Sequence, residues 1–233
     1  MTERINWGNV EWNRGFSYGF GISYCNEGGE DTSNPGLQAA YQAIWDSPLL
    51  SGPWNCPADI GNPQARLDVR ELQSNYLDRY GILSLSNGQE VGCHTCKVPE
   101  GPTDWVGLYL PSGCVKAAFD ANLGFHAPDD PWLGHVDEAF VALAEHIYAR
   151  SPFDLGLWGL EAGAVGPGLH DITAAGLDLG DYVISPELHA RLSPQRPGRP
   201  LASGLLHYSR PGALIRGVVP DRGVTWHYPP IGD

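Results

Sequence analysis

The chain predicts an α+β fold, a mixed or antiparallel sheet with helices packed mainly on one face, from three observations. Two runs, 16–54 and 105–160, each read as strand, helix, strand. Asn87-Gly88 joins two short apolar-patterned runs, a hairpin signal because these residues accept the positive φ of tight turns. Thirty glycines and twenty prolines punctuate a chain of 233 residues that is 42% hydrophobic, so the elements are short and the core is substantial.

From the amino end, 16–24 alternates aromatic or aliphatic residues with Gly and Ser, as a strand with one apolar face does. Asn34 and Pro35 form a helix start, Asn as cap and Pro at the first helical position. Leu37, Ala40, Tyr41, Ile44 and Trp45 then make an i, i+3, i+4, i+7, i+8 stripe, predicting a helix at 35–46 that Pro48 stops before a strand at 49–54. A second helix is expected at 67–79, where Val69, Leu72, Tyr76 and Leu77 fall at helical spacing and Gly81 can end it. The hairpin pairs 82–85 with 90–98; a strand follows at 105–110, then a short apolar stretch at 114–119. The best helix is expected at 135–150, with Val136, Phe140, Leu143, Ala144 and Ile147 on one face and Pro152 as its stop, ahead of a strand at 153–160. Beyond a glycine-rich loop at 162–168, a short strand at 182–184 leads into Ser185-Pro186-Glu187, a capped helix start running to Leu192. The segments 201–208, 213–219 and 224–228 read as strands. No clear linker divides the chain, which predicts a single domain over 1–233.

An echo links the two strand-helix-strand runs. Ser47-Pro48-Leu49-Leu50-Ser51-Gly52-Pro53-Trp54 and Ser151-Pro152-Phe153-Asp154-Leu155-Gly156-Leu157-Trp158 each follow an amphipathic helix. As a candidate duplication, it predicts equivalent places for the two segments in the fold.

The charge is −13 and unevenly spread: residues 1–186 hold twenty-four acids and eight bases, whereas six arginines lie between Glu187 and Arg222. Such a field repels phosphate backbones, which disfavours nucleic acid and makes a basic protein the natural partner. The same acidity also serves solubility alone. No stretch approaches the roughly 18 apolar residues of a membrane span, and the amino terminus has no apolar run of an export signal, so the cytoplasm is the expected compartment. An odd number of cysteines, five, fits reduced thiols there better than a disulfide framework.

Candidate chemistry is sparse. Cys93-His94-Thr95-Cys96 has the spacing with which a loop presents two thiolates to zinc, and Cys114, His126 and Cys56 are the remaining ligand types in reach. No second Cys-x-x-Cys completes the set, and ordinary buried or half-exposed thiols satisfy the same residues. His135, Glu138, Glu145 and His146 share a sector of about 100° on the expected 135–150 helix, suited to metal or proton transfer, or equally to a solvated face. Neither a phosphate loop, a dinucleotide fingerprint nor a Gly-x-Ser-x-Gly elbow is present. The acid clusters Glu27, Glu30, Asp31 and Asp129, Asp130, the latter beside Trp132 as an exposed-looking aromatic, are the candidate partner contacts.

Trp105-Val-Gly-Leu-Tyr-Leu-Pro, the 135–150 helix, Ser151 to Gly159, and Pro186-Glu-Leu-His-Ala-Arg-Leu192 together resemble small acidic immunity proteins of bacterial polymorphic toxin systems. That resemblance implies a cytoplasmic protein that blocks a genetically adjacent toxin by covering its surface, with no catalytic centre and no cofactor; it transfers no functional residue. The other reading is a small metal-dependent enzyme or structural zinc protein using Cys93 and Cys96 or the His135/Glu138 face.

Overall fold

The structure, a computed structural model, describes residues 5–12, 17–25, 35–72, 78–100, 103–120, 131–160, 181–194 and 197–209. Their strands are β1 (Ser17–Cys25), β2 (Leu50–Trp54), β3 (Arg79–Ser84), β4 (Glu90–Glu100), β5 (Thr103–Pro111), β6 (Leu155–Leu160), β7 (Asp181–Ile184), β8 (Arg199–Pro200) and β9 (Leu206–Tyr208). The helices among them are α1 (Pro35–Trp45), α2 (Ser112–Phe119), α3 (Pro131–Tyr148) and α4 (Pro186–Leu192). All the strands join one sheet in the order β2-β3-β4-β5-β1-β6-β7-β9-β8. Every neighbouring pair is antiparallel, so the fold is α+β, with an antiparallel rather than a mixed sheet.

Alternation along β1 decides how the sheet is covered. Tyr18, Phe20, Ile22 and Tyr24 share one face, and β5 and β6 add Val106, Leu108, Leu110 and Trp158 to it in register. The two long helices cover this face. Their stripes Leu37, Ala40, Tyr41, Ile44, Trp45 and Val136, Phe140, Leu143, Ala144, Ile147 are all buried against it. Phe140 stacks on Tyr18 at 5.9 Å and on Phe20 at 5.8 Å, and Trp45 donates its indole N–H to Thr95 Oγ1 at 3.1 Å. The opposite face carries a second core of Trp105, Leu155, Leu157, Tyr182, Ile184 and Tyr208, closed by Leu188 of α4. Of the four described helices, α1, α2 and α3 thus bury residues on one face, and the short α4 lies across the sheet from them.

Several elements form where local signals place them. Ser185 caps α4, its Oγ accepting from the Leu188 N–H at 3.1 Å. In the β3–β4 hairpin, Gly88 takes a φ of +82° and donates to the Leu85 carbonyl, so the Asn-Gly pair does turn the chain. The apolar stretch at 114–119 is helical, as most of α2. Gly113 of α2 passes so close to the Glu11 carbonyl that a Cβ there would collide with it. Gly113→Ala should therefore cost about 2 kcal/mol from overpacking even though Ala is the better helix former by about 1 kcal/mol. A urea midpoint equal to or above wild type would refute the close passage.

The described parts of the helix expected at 67–79, residues 67–72 and 78–79, are not α-helical. Its described start is a single 3-10 turn, Val69–Glu71, capped by Asp68 and followed by an extended Leu72. The extended Leu72 ends the turn, and its carbonyl accepts from the side-chain amides of Gln38 and Gln42 of α1, which holds this segment against that helix. Residues 73–77 lie outside the described set, and the chain re-enters as β3 at Arg79.

The echoing segments also occupy different places. Ser47 and Ser151 are both buried behind their helices. Yet β2 is an edge strand four positions from β1, whereas β6 lies directly beside β1 and two positions from β5. The duplication expectation is corrected by this order. Pro53, lacking an N–H, confines its strand to an edge, while the proline-free Leu155–Leu160 is paired on both sides. Gly156 permits the close approach, since a Cβ there would lie 2.8 Å from the Phe20 ring. The segments expected as strands at 213–219 and 224–228, and the loop at 162–168, lie outside the described residues.

Candidate functional site

The local anchor of the site is Ser151, just past the last turn of α3. Its Oγ donates to the Gly36 carbonyl at 2.7 Å, and Tyr24 Oη donates to its carbonyl at 3.0 Å, tying α1, α3 and β1 together. Burial pushes the Tyr24 phenol well up, and the Ser151 hydrogen bond offsets part of that. Pro152, Phe153 and Asp154 then cross the end of the sheet before β6 begins. Phe153 meets Tyr148 edge to face at 5.4 Å. Asp154 is held twice from the far side: its carbonyl accepts from the Ser185 N–H at 2.9 Å, and its Oδ1 from Ser185 Oγ at 2.8 Å.

These contacts frame a cavity of about 310 Å³ whose described lining is Ser23, Tyr24, Tyr148, Pro152, Phe153, Asp154, Ser185 and Glu187. Ser23 and Ser185 are buried on its floor, while Asp154 and Glu187 are exposed at its mouth. The Tyr148 phenol is raised by burial first and by the negative charges of Glu187 and Asp154 next, which places both carboxylates within electrostatic reach of the ring. Two aromatic rings beside two carboxylates form an environment suited to a cation.

A second acidic position lies under α3. Asp137 falls in the same helical row as Leu133, Phe140 and Ala144, so it faces the sheet, where its Oδ1 accepts from Tyr18 Oη at 2.7 Å. Its carboxyl is raised to about 7 by burial and by Asp181, against the opposing pull of the Tyr18 hydrogen bond. On the far side of Trp158, His207 stacks at 5.3 Å and its Nδ1 accepts from Arg199 at 3.0 Å. Burial and the Arg199 charge lower the His207 ring to about 4.

The sequence-based candidates divide three ways. Glu27, Glu30, Asp31, Asp129, Asp130 and His126 lie outside the described residues. Trp132 is corrected: it is 5% exposed, stacked on Phe119 at 5.2 Å and edge-on to Tyr18 at 5.9 Å, so it is a core residue and not a surface anchor. The Cys93/Cys96 pair is corrected as a ligand loop. Both lie within β4, and residues three apart on a strand point to opposite faces. Cys93 is buried and its thiol pushed well up by burial and by Cys114, whereas Cys96 is pushed up to about 12 by burial and by Asp78. Cys114 is likewise raised by burial.

The polar face of α3 makes mostly exposed hydrogen bonds. Ser86, at the hairpin turn, donates to Glu138 Oε2 at 3.0 Å and is 3.2 Å from His135 Nδ1. Glu145 Oε1 accepts from the Ser203 N–H, and His146 contacts Arg150 at 3.1 Å. Among the described residues, no three His, Cys, Asp or Glu side chains are grouped to hold a metal. No helix among them is long and apolar enough to cross a membrane. The cavity residues were missed because they come from three separated segments, 23–24, 148–154 and 185–187; Asp137 did leave a signal, an acid inside an apolar helical stripe. No protein-family model matches the chain, no curated protein matches it in sequence, and no solved structure matches it.

Proposed function

We propose that the chain is an acidic partner-binding protein of the bacterial cytoplasm, an immunity-type factor that neutralises a toxin or other basic protein by covering its surface. The observation that carries this reading is the cavity beside the ends of β1 and α3, whose mouth is formed by Asp154 and Glu187 in a chain of formal charge −13. A cationic surface is the complement of such a mouth, because opposite potentials steer encounter and reject wrong partners. The metal reading loses its main support in β4, where the thiols of Cys93 and Cys96 diverge.

The test uses the protein encoded beside this chain. Association and dissociation rates are measured at about 0.01 M and 0.15 M salt, between which the Debye length shrinks from about 30 Å to about 8 Å. Tight binding is expected, with an association rate that falls about tenfold or more across that range while dissociation changes little. No binding, or association indifferent to salt, removes the reading.

A further inference from the structure

The geometry points to a single arginine side chain as the occupant of the cavity lined by Ser23, Tyr148, Phe153, Asp154 and Glu187, supplied by the protein partner. This inference rests on the partner-binding reading and narrows it. Size comes first: about 310 Å³ is at the lower limit of small-molecule sites and takes one long side chain.

Chemistry then selects among side chains. The mouth offers two carboxylates and no cation among its described lining, so an anionic or neutral occupant would leave that charge unanswered. The carboxylates stand on different elements: Asp154 precedes β6 and Glu187 is in the first turn of α4. Ser185 fixes the spacing by bonding Asp154 Oδ1 and capping α4 with the same Oγ, which leaves Oδ2 for a ligand. A guanidinium has several donors in one rigid plane, can bridge two separated carboxylates, and stacks on an aromatic ring while doing so. The Tyr148 and Phe153 rings supply that surface. An ammonium group is a strongly hydrated point charge and gains less from rings and divided acceptors.

The experiment titrates the isotopically labelled full chain with N-acetyl-arginine methylamide, following backbone amide shifts. Saturable shifts confined to the amides of Ser23, Tyr148, Asp154 and Glu187 are expected at millimolar probe, with about fivefold weaker binding in Asp154→Asn or Glu187→Gln. Asp154→Asn keeps an oxygen for Ser185 and Glu187 is exposed, so both variants should stay folded. The citrulline analogue, of the same shape but neutral, should give no saturable shifts, and the lysine analogue should bind more weakly than arginine. Equal binding of citrulline or lysine, absence of saturation, or affinity unchanged in the double variant would each overturn the inference. A basic partner held equally well by wild type and double variant would overturn the arginine site alone. Probe binding without any protein partner would instead overturn the neutraliser reading.

Discussion

Phe140→Ala should lower the stability of the chain by about 4 kcal/mol, the middle of the range for removing a buried phenylalanine. Phe140 is fully buried, and its ring stacks on both Tyr18 and Phe20 of the central strand β1. Truncation therefore removes the transfer term, leaves a cavity at the α3–sheet seam and breaks two ring contacts that are each worth roughly 0.5–1.5 kcal/mol beyond burial. For a chain of this length a melting point about 10 °C lower is the corresponding thermal result. Urea denaturation followed by tryptophan fluorescence gives the measurement. A loss under about 1 kcal/mol would mean that α3 is not seated on β1 through this residue.

Asp137→Asn should instead raise stability at pH 8, by about 2 kcal/mol. The folded chain lifts the Asp137 carboxyl from 3.8 to about 7, so the native state retains a proton that the unfolded chain releases near pH 4. That contribution is fully present below pH 4 and is lost as the pH rises towards 7. At about 1.4 kcal/mol per pH unit the ceiling is about 4 kcal/mol, and the partial exposure of Asp137 halves it to about 2 kcal/mol. His207 acts in the opposite sense. Its ring is lowered from 6.5 to about 4, so its contribution is present above pH 6.5 and is lost as the pH falls towards 4. The two slopes oppose each other in the wild type between pH 4 and 6.5. With Asn, whose Oδ1 still accepts from Tyr18, the falling slope should vanish and the rise from His207, and from His146 whose ring burial and Arg150 also lower, should remain. Urea midpoints at about pH 4.5, 6 and 8 resolve this; parallel profiles for the two proteins would disprove the raised carboxyl.

What could be read along the chain was whatever is encoded over a few residues. The stripes of α1 and α3, the Asn87-Gly88 turn and the Ser185 cap each act within one or two turns of chain, and each forms as its local pattern requires. The segment from 67 had helical spacing, but its described start is a single 3-10 turn, held by Gln38 and Gln42 some thirty residues away. Pro53 already distinguished an edge strand from the interior strand at Leu155–Leu160, so the different fates of the echoing segments were partly visible. The same holds for Cys93 and Cys96, because an odd separation within a strand sends side chains apart. The cavity was not legible. Ser23, Tyr148, Asp154 and Glu187 meet only once the sheet order has brought β1, β6 and β7 side by side.

The two ends of that sheet restrict how anything can attach to it. At one end Pro53 has no N–H, and the backbone beyond β2 is occupied: the Pro53 carbonyl accepts from the Leu67 N–H and the Gly52 carbonyl from Arg66. At the other, β8 is two residues long and one of them is Pro200. Among the described residues, neither end of the sheet offers a visiting chain a long row of main-chain donors and acceptors to copy. Copies of the protein likewise have no ladder by which to polymerise through these described edges. Any contact made at these described edges therefore falls to side chains, whose pairing can be rewritten one substitution at a time without disturbing the main-chain scaffold.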